Sequence, residues 1–205
     1  DVAQNRRAQL AAAIDPPKGR FQARFPLPGT LASLWSPTLV TTITQGAVMA
    51  FQHEHDLAVD GFAGPQVWKA LVADAIAGKR RDRGYDYVLV HRDVPQSLEL
   101  FHDGHTIIST PVNTGVPSAP TEFGTYPVHL HIPVQTMRGT NPDGSTYEDP
   151  GIRWISYFHG GEGIHGFDRA SYGTPQSVGC VELPVSEAAR VYPYTTIGTL
   201  VTIAR

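Results

Sequence analysis

One cysteine occurs among the 205 residues, Cys180, and it stands in the segment IHGFDRASYGTPQSVGCVE, from Ile164 to Glu182, with a His-Gly pair and a glycine-rich turn. A thiol becomes a useful nucleophile when its pKa falls, through an imidazole, a positive charge or convergent backbone N–H groups nearby. This segment can assemble all three. His165 lies fifteen residues before Cys180, far enough for a strand end and a loop to bring its imidazole back against the sulfur as a base. Gly179 lets the backbone turn sharply just ahead of the thiol, so the N–H groups of Val178, Gly179 and Cys180 are the candidate donors to a developing oxyanion. The chemistry these residues could perform is covalent acyl transfer through Cys180. His159, twenty-one residues before Cys180, is the rival base and is expected in a supporting position, with Ser177 hydrogen-bonding inside the turn and Tyr157 lining the cleft.

Other constellations are poorer. A single cysteine excludes an intramolecular disulfide and any zinc site needing two thiolates from this chain. His129 and His131 share a strand face by period two, yet no H-E-x-x-H or third carboxylate stands at a telling spacing, so neither a metal nor an organic cofactor is expected. His102 and His105 bracket a turn and read as solvent-exposed. A formal net charge of −3 supplies no basic field for DNA or RNA. No apolar run approaches the ~20 residues that a membrane-spanning helix requires.

The elements that must position the thiol read as strands. Glycine and proline are plentiful, 20 and 17 residues, and charged residues make up 17% against about 25% in an average domain, the profile of a turn-rich β protein. β-branched or aromatic runs at Tyr87–Val90, Leu98–Phe101, Thr106–Val112, Tyr126–Ile132, Ile152–Phe158 and Thr199–Ile203 are bounded by turn residues, and Asp103-Gly104 is a hairpin signal. Only Ser186–Tyr192 reads as helix in this half. Residues 138–150 have loop composition and are expected to form a flap over the cleft. The expectation is a mainly β catalytic domain over residues 85–205, antiparallel and sandwich-like or barrel-like.

Ahead of it the pattern is helical. Val48, Phe51 and His55 share a face, Asp60-Gly61 marks a turn, and Gly64-Pro65 opens a second helix whose apolar face is Val67, Trp68 and Leu71. The expected division is an arm or linker over residues 1–29, a small all-α module over 30–78, a solvated basic hinge over 79–84 and the β domain. The helical segment resembles the peptidoglycan-binding module of bacterial cell-wall enzymes in Ala47, Val48, Phe51, Gln52, Val59, Asp60, Gly61, Gly64, Pro65, Trp68, Ala70 and Leu71.

The β half resembles an L,D-transpeptidase catalytic domain, whose pattern is I-H-G, a loop, then [S/T]-H-G-C, an apolar residue and Arg or Asn. Ile164, His165 and Gly166 match the first part; Ser177, Gly179, Cys180 and Val181 match the second. Val112 to Gly115 with Pro120, Thr121, Gly124 and Tyr126, and the run Tyr157, Phe158 and His159, agree with the family's upstream strands. Two positions depart. Val178 replaces the usual histidine while keeping its N–H, and Glu182 puts an anion where a cation usually follows. That exchange weakens attraction for a stem-peptide carboxylate unless Arg169 or Arg153 substitutes.

The resemblance implies thioester-mediated cross-linking of peptidoglycan stems, L,D-carboxypeptidase activity when water accepts the acyl group, and acylation of Cys180 by carbapenem-type β-lactams. It also implies action at the extracellular cell wall after export, with the signal absent from this chain. The competing readings are a zinc-dependent cell-wall peptidase using His129 and His131, and a non-catalytic peptidoglycan-binding protein in which Val178 and Glu182 record lost activity.

Overall fold

Two β-sheets stacked face to face carry the site, in a computed structural model that describes residues 25–36 and 38–205. The arm expected over residues 1–29 lies mostly outside the described residues. In chain order the elements are α1 (Gly29–Ala32), α2 (Thr42–Glu54), α3 (Pro65–Ile76), β1 (Asp86–His91), β2 (Ser97–His102), β3 (His105–Pro111), β4 (Gly124–Pro127), β5 (Leu130–Thr140), β6 (Thr146–His159), β7 (Glu162–Gly166), β8 (Val181–Leu183), α4 (Val185–Val191) and β9 (Leu200–Ala204). One sheet runs β3-β2-β1-β9-β4 and the other β5-β6-β7-β8. Pairing is antiparallel except for β1 with β9 and β7 with β8. Among the described residues no helix is long and apolar enough to cross a membrane.

The layers follow from alternation along the strands. Val88, Val90, Leu98, Leu100, Val201 and Ile203 from the first sheet meet Phe158, Ile164, Val181 and Leu183 from the second, with Ala188 and Val191 of α4 closing one side. Tyr87, Leu89 and Leu200 point the other way and are covered by Leu31 of α1. Strand β1 is therefore buried on both faces, which is why its sequence reads as a continuous apolar run. Asp103 and Gly104, both at positive φ (51° and 81°), make the tight turn from β2 to β3.

Several expectations are corrected. The single strand expected over Tyr126–Ile132 is two, because the chain changes sheets there: Val128 N–H bonds the Thr199 carbonyl and His129 N–H bonds the Tyr157 carbonyl. Residues 138–150 are not a loop but the outer half of the long β5–β6 hairpin, turned at Asn141–Ser145. Residues 30–32, expected to open the helical module, belong to α1, which packs on the β domain, where Thr30 Oγ1 and Tyr87 Oη lie 2.7 Å apart. The basic hinge is exposed over residues 79–83, as expected, and also makes surface contacts: Lys79 pairs with Asp74, Arg81 with Glu54, and Arg83 donates to the Pro193 carbonyl at 2.6 Å. Trp68, expected in the core, is 48% exposed, and Val67 fills the buried position of α3.

Helix α2 uses two faces. Buried Gln52 ties the following turn, accepting from Asp60 N–H and Gly61 N–H through Oε1 and donating to Asp60 Oδ1 through Nε2. On the other side Met49 enters the β-domain core. Gly46 lies so close to the loop before β9 that a Cβ there would meet the Gly198 carbonyl, and one on Gly198 would meet the Gly46 carbonyl. Backbone contacts backbone only because both positions lack side chains.

Candidate active site

Parallel pairing of β7 with β8 sets His165 opposite Glu182, and Cys180 immediately precedes β8. Paired residues in register share a sheet face, so His165 and Glu182 project to the same side. The connection between the strands is fixed by the segment after β3. Gln176 and Ser177 N–H groups bond the Thr114 carbonyl, Gly173 N–H bonds the Val112 carbonyl, and Asn113 and Glu182 exchange backbone hydrogen bonds in both directions. Gln96, 1% exposed, accepts from Thr114 N–H and donates to the Arg92 carbonyl. This scaffold holds the thiol loop against the core.

The loop itself turns through Gly179, whose φ of +108° is a conformation that an L side chain rarely adopts. Ser177 Oγ donates to the Cys180 carbonyl at 2.6 Å. Among the described residues the N–H groups of Val178, Gly179 and Cys180 have no backbone acceptor. Val178 and Cys180 line a cavity of about 300 Å³ together with His165, Ser177, Gln176, Phe167, Arg169 and Glu182, and Gly179 joins them in the chain. The β5–β6 hairpin supplies the rest of the lining through Met137, Asn141, Tyr147 and Asp149. Met137 pairs with Asp149 and Gly139 with Tyr147, so these face the cavity while Arg138 and Glu148 pair on the opposite face at 2.8 Å.

His165 is 2% exposed, and burial pushes its imidazole below the ordinary histidine range, so the ring is neutral near pH 7. Its Nδ1 lies 3.2 Å from the Gly166 carbonyl. A carbonyl only accepts, so Nδ1 carries the hydrogen and Nε2 keeps a lone pair. Cys180 retains some solvent access, yet burial of its sulfur pushes the thiol up to about 11. The Gly163 N–H opposes that rise, while Glu182 and Glu162 add to it. The expectation of a thiol with a lowered pKa is thus corrected: neighbouring carboxylates and burial both favour the neutral form. The hydrogen bond the sulfur makes is to the Gly161 carbonyl, at 3.8 Å.

The remaining candidates are distributed around this centre. His159 lies outside the cavity lining; its Nδ1 is 3.5 Å from Glu162, and its ring lies tilted against Tyr126 with centroids 4.3 Å apart. Tyr157 is also outside the lining, with its hydroxyl 3.4 Å from Gln135. Gly166 allows the close approach of α4, since a Cβ would lie 3.1 Å from Val185 Cα. Arg169 is bound to Glu182 through Nε and Nη2, both at 2.8 Å, and lies over the Phe167 ring. His131 stacks on Tyr192 at 3.7 Å and His129 is exposed; among the described residues no group of three or more His, Cys, Asp or Glu is arranged to hold a metal.

The ion pair has a measurable consequence. Glu182 is almost fully buried while Arg169 keeps about a third of its surface. Replacing Arg169 by alanine leaves a buried carboxylate unpaired and is expected to lower unfolding stability by about 2–4 kcal/mol. Adding Glu182→Gln should restore about half of that loss, read by denaturant unfolding of the single and double variants.

Tyr147, Asp149 and Met137 were not legible as site residues in the sequence. The available signal was the NPDG turn with alternation on both sides, Met137 and Gly139 before it and Tyr147 and Asp149 after it.

A family model for the L,D-transpeptidase catalytic domain matches residues 85–203, and one for a peptidoglycan binding domain matches residues 40–71. None of the curated proteins matches the chain. Among solved structures, an L,D-transpeptidase from Mycobacterium smegmatis is 21% identical at a TM-score of 0.54, over 60% of this chain and 59% of that one. The catalytic domain of an L,D-transpeptidase from E. faecium is 27% identical at a TM-score of 0.52, over 60% of this chain and 99% of that one. L,D-transpeptidase 3 from Mycobacterium tuberculosis, solved with a faropenem-derived adduct, is 19% identical at a TM-score of 0.54, over 60% and 61%. This chain spans less than two thirds of the two mycobacterial chains.

Proposed function

Because the chain belongs to the L,D-transpeptidase catalytic-domain family, we propose that it transfers acyl groups between peptidoglycan stem peptides through a thioester on Cys180. The observation that carries this reading is one cavity holding the thiol, a neutral imidazole with a free Nε2 lone pair, and backbone N–H groups without internal acceptors. In the first step the Cys180 proton passes to His165 Nε2 as sulfur bonds the carbonyl carbon of the third stem residue. The N–H groups of Val178, Gly179 and Cys180 hold the oxyanion. Collapse breaks the C–N bond, and His165 returns the proton to the departing D-amino acid amine. An acceptor amine then displaces sulfur and forms the cross-link; water in its place gives L,D-carboxypeptidase activity.

The chemistry requires no metal or organic cofactor. Ser177 holds the turn, Gly166 sets the strand against α4, and His159 and Tyr157 shape the surroundings of the thiol from outside the cavity. The helical segment supplies an attachment to the same polymer, and a substrate outside the membrane implies export to the cell wall.

Exposure to faropenem and to a carbapenem is the direct test, motivated by the adduct in the Mycobacterium tuberculosis protein. Intact-mass analysis is expected to show addition of one drug-derived fragment, mapping to Cys180. Folded protein that stays unmodified, and that binds muropeptides without releasing D-alanine, would favour a non-catalytic binder.

A further inference from the structure

The charges in the cavity do not balance. Arg169 is the one cation in the lining, and it is bound at two points to Glu182 and meets the Gln176 carbonyl at 3.4 Å. His165 is held neutral by burial. Asp149 stands in the same lining on β6, half-buried, and makes no ion pair among the described residues. It lies near enough for its charge to act on both Arg169 and His165. One guanidinium therefore faces two carboxylates, and the surplus charge is negative. An entering carboxylate meets a cation already engaged, whereas an entering cation meets a carboxylate without a partner.

We infer that Asp149 selects acyl donors whose third-residue side chain carries a net positive charge. A primary amine of the lysine type fits, as does a diamino diacid whose distal carboxyl is amidated; one with that carboxyl free is disfavoured. The inference rests on the acyl transfer proposed above. In that reaction the carbon that bonds sulfur belongs to the third residue, so its side chain is held closest to the cavity lining. The hairpin that carries Asp149 belongs to the same sheet as β7 and β8 and brings Asp149 into the lining that also holds Cys180 and the fixed Arg169–Glu182 pair.

Three tetrapeptide donors identical except at the third residue test it: L-lysine, Nε-acetyl-L-lysine and meso-diaminopimelate. The readout is kcat/KM for release of the terminal D-amino acid. With the whole chain at low salt, lysine should exceed acetyl-lysine by about five- to tenfold, and 1 M NaCl should reduce that ratio to about two or less. Asp149→Asn should bring the low-salt ratio below about twofold, and Asp149→Lys should shift preference towards the donor with a free carboxylate. Equal values for lysine and acetyl-lysine, or a ratio unmoved by both substitutions, would overturn the inference while leaving acyl transfer in place. Release from none of the three donors would overturn acyl transfer and the inference together.

Discussion

Replacing Cys180 by alanine is expected to lower release of the terminal D-amino acid by at least about a thousandfold and to abolish the mass gain with β-lactams. Cys180 is the one thiol in the lining; the other polar side chains are amides, carboxylates, a phenol, a guanidinium, a serine whose hydroxyl is committed to the Cys180 carbonyl, and the imidazole, which is assigned the proton transfer. What survives is binding and oxyanion stabilisation, which cannot split the reaction into two steps. The fold should be nearly untouched, because the sulfur's interactions are weak ones with the backbone, a 3.8 Å contact to the Gly161 carbonyl and the Gly163 N–H. A melting temperature close to that of the parent, beside lost turnover, identifies the defect as chemical. Turnover within tenfold of the parent would remove the thiol from the mechanism.

His165→Asn carries the second large effect, a loss of about 10²–10⁴ in kcat/KM at pH 7. Asparagine can still donate towards the Gly166 carbonyl, so the substitution removes the Nε2 lone pair more than it disturbs the local bond. The pH dependence gives this prediction its signature. In the parent, burial holds the imidazole below its ordinary value of 6.5, so the base stays neutral and active on the alkaline side of that depressed value. Activity should therefore fall only in the acid range below pH 6.5. The thiol titrates near 11, so between the two values both groups are neutral and the proton must move during attack. Without the imidazole, reaction depends on preformed thiolate, whose fraction rises about tenfold per pH unit below the thiol pKa. The variant's deficit should shrink steadily from pH 7 to pH 10. A deficit of constant size across that range would assign His165 a structural role.

The same thiol shows where sequence and structure part. Cys180 and His165 as candidates, and the sharp turn at Gly179, follow from residue types and spacing; in the structure Cys180 and His165 line one cavity and Gly179 has a φ of +108°. The electrostatic state does not follow. Glu182 is visible as a departure, but its bidentate bond to Arg169 depends on a loop path that spacing leaves open. Glu162, whose charge also bears on the thiol, comes from the start of β7, eighteen residues before Cys180, with nothing in its neighbours to mark it. Strand existence was legible from β-branched runs, whereas the break between β4 and β5 was not, because β-branched Val128 carries the strand-like pattern through the crossing between Tyr126 and Leu130. The hairpin tip read as loop because half-exposed strands with Gly, Pro and Asn have the composition of one.

The joint between Gly46 and Gly198 bears on how a wall polymer would be met. Two proteins on a flexible leash sample many orientations, and the leash length sets what they reach. Here a helix seated directly on the β9 approach, with Met49 sunk into the shared core, leaves no such freedom. A glycan strand gripped by the helices would present its side branches at one fixed angle, and the spacing of those branches along the strand, rather than tether length, would decide which of them can enter.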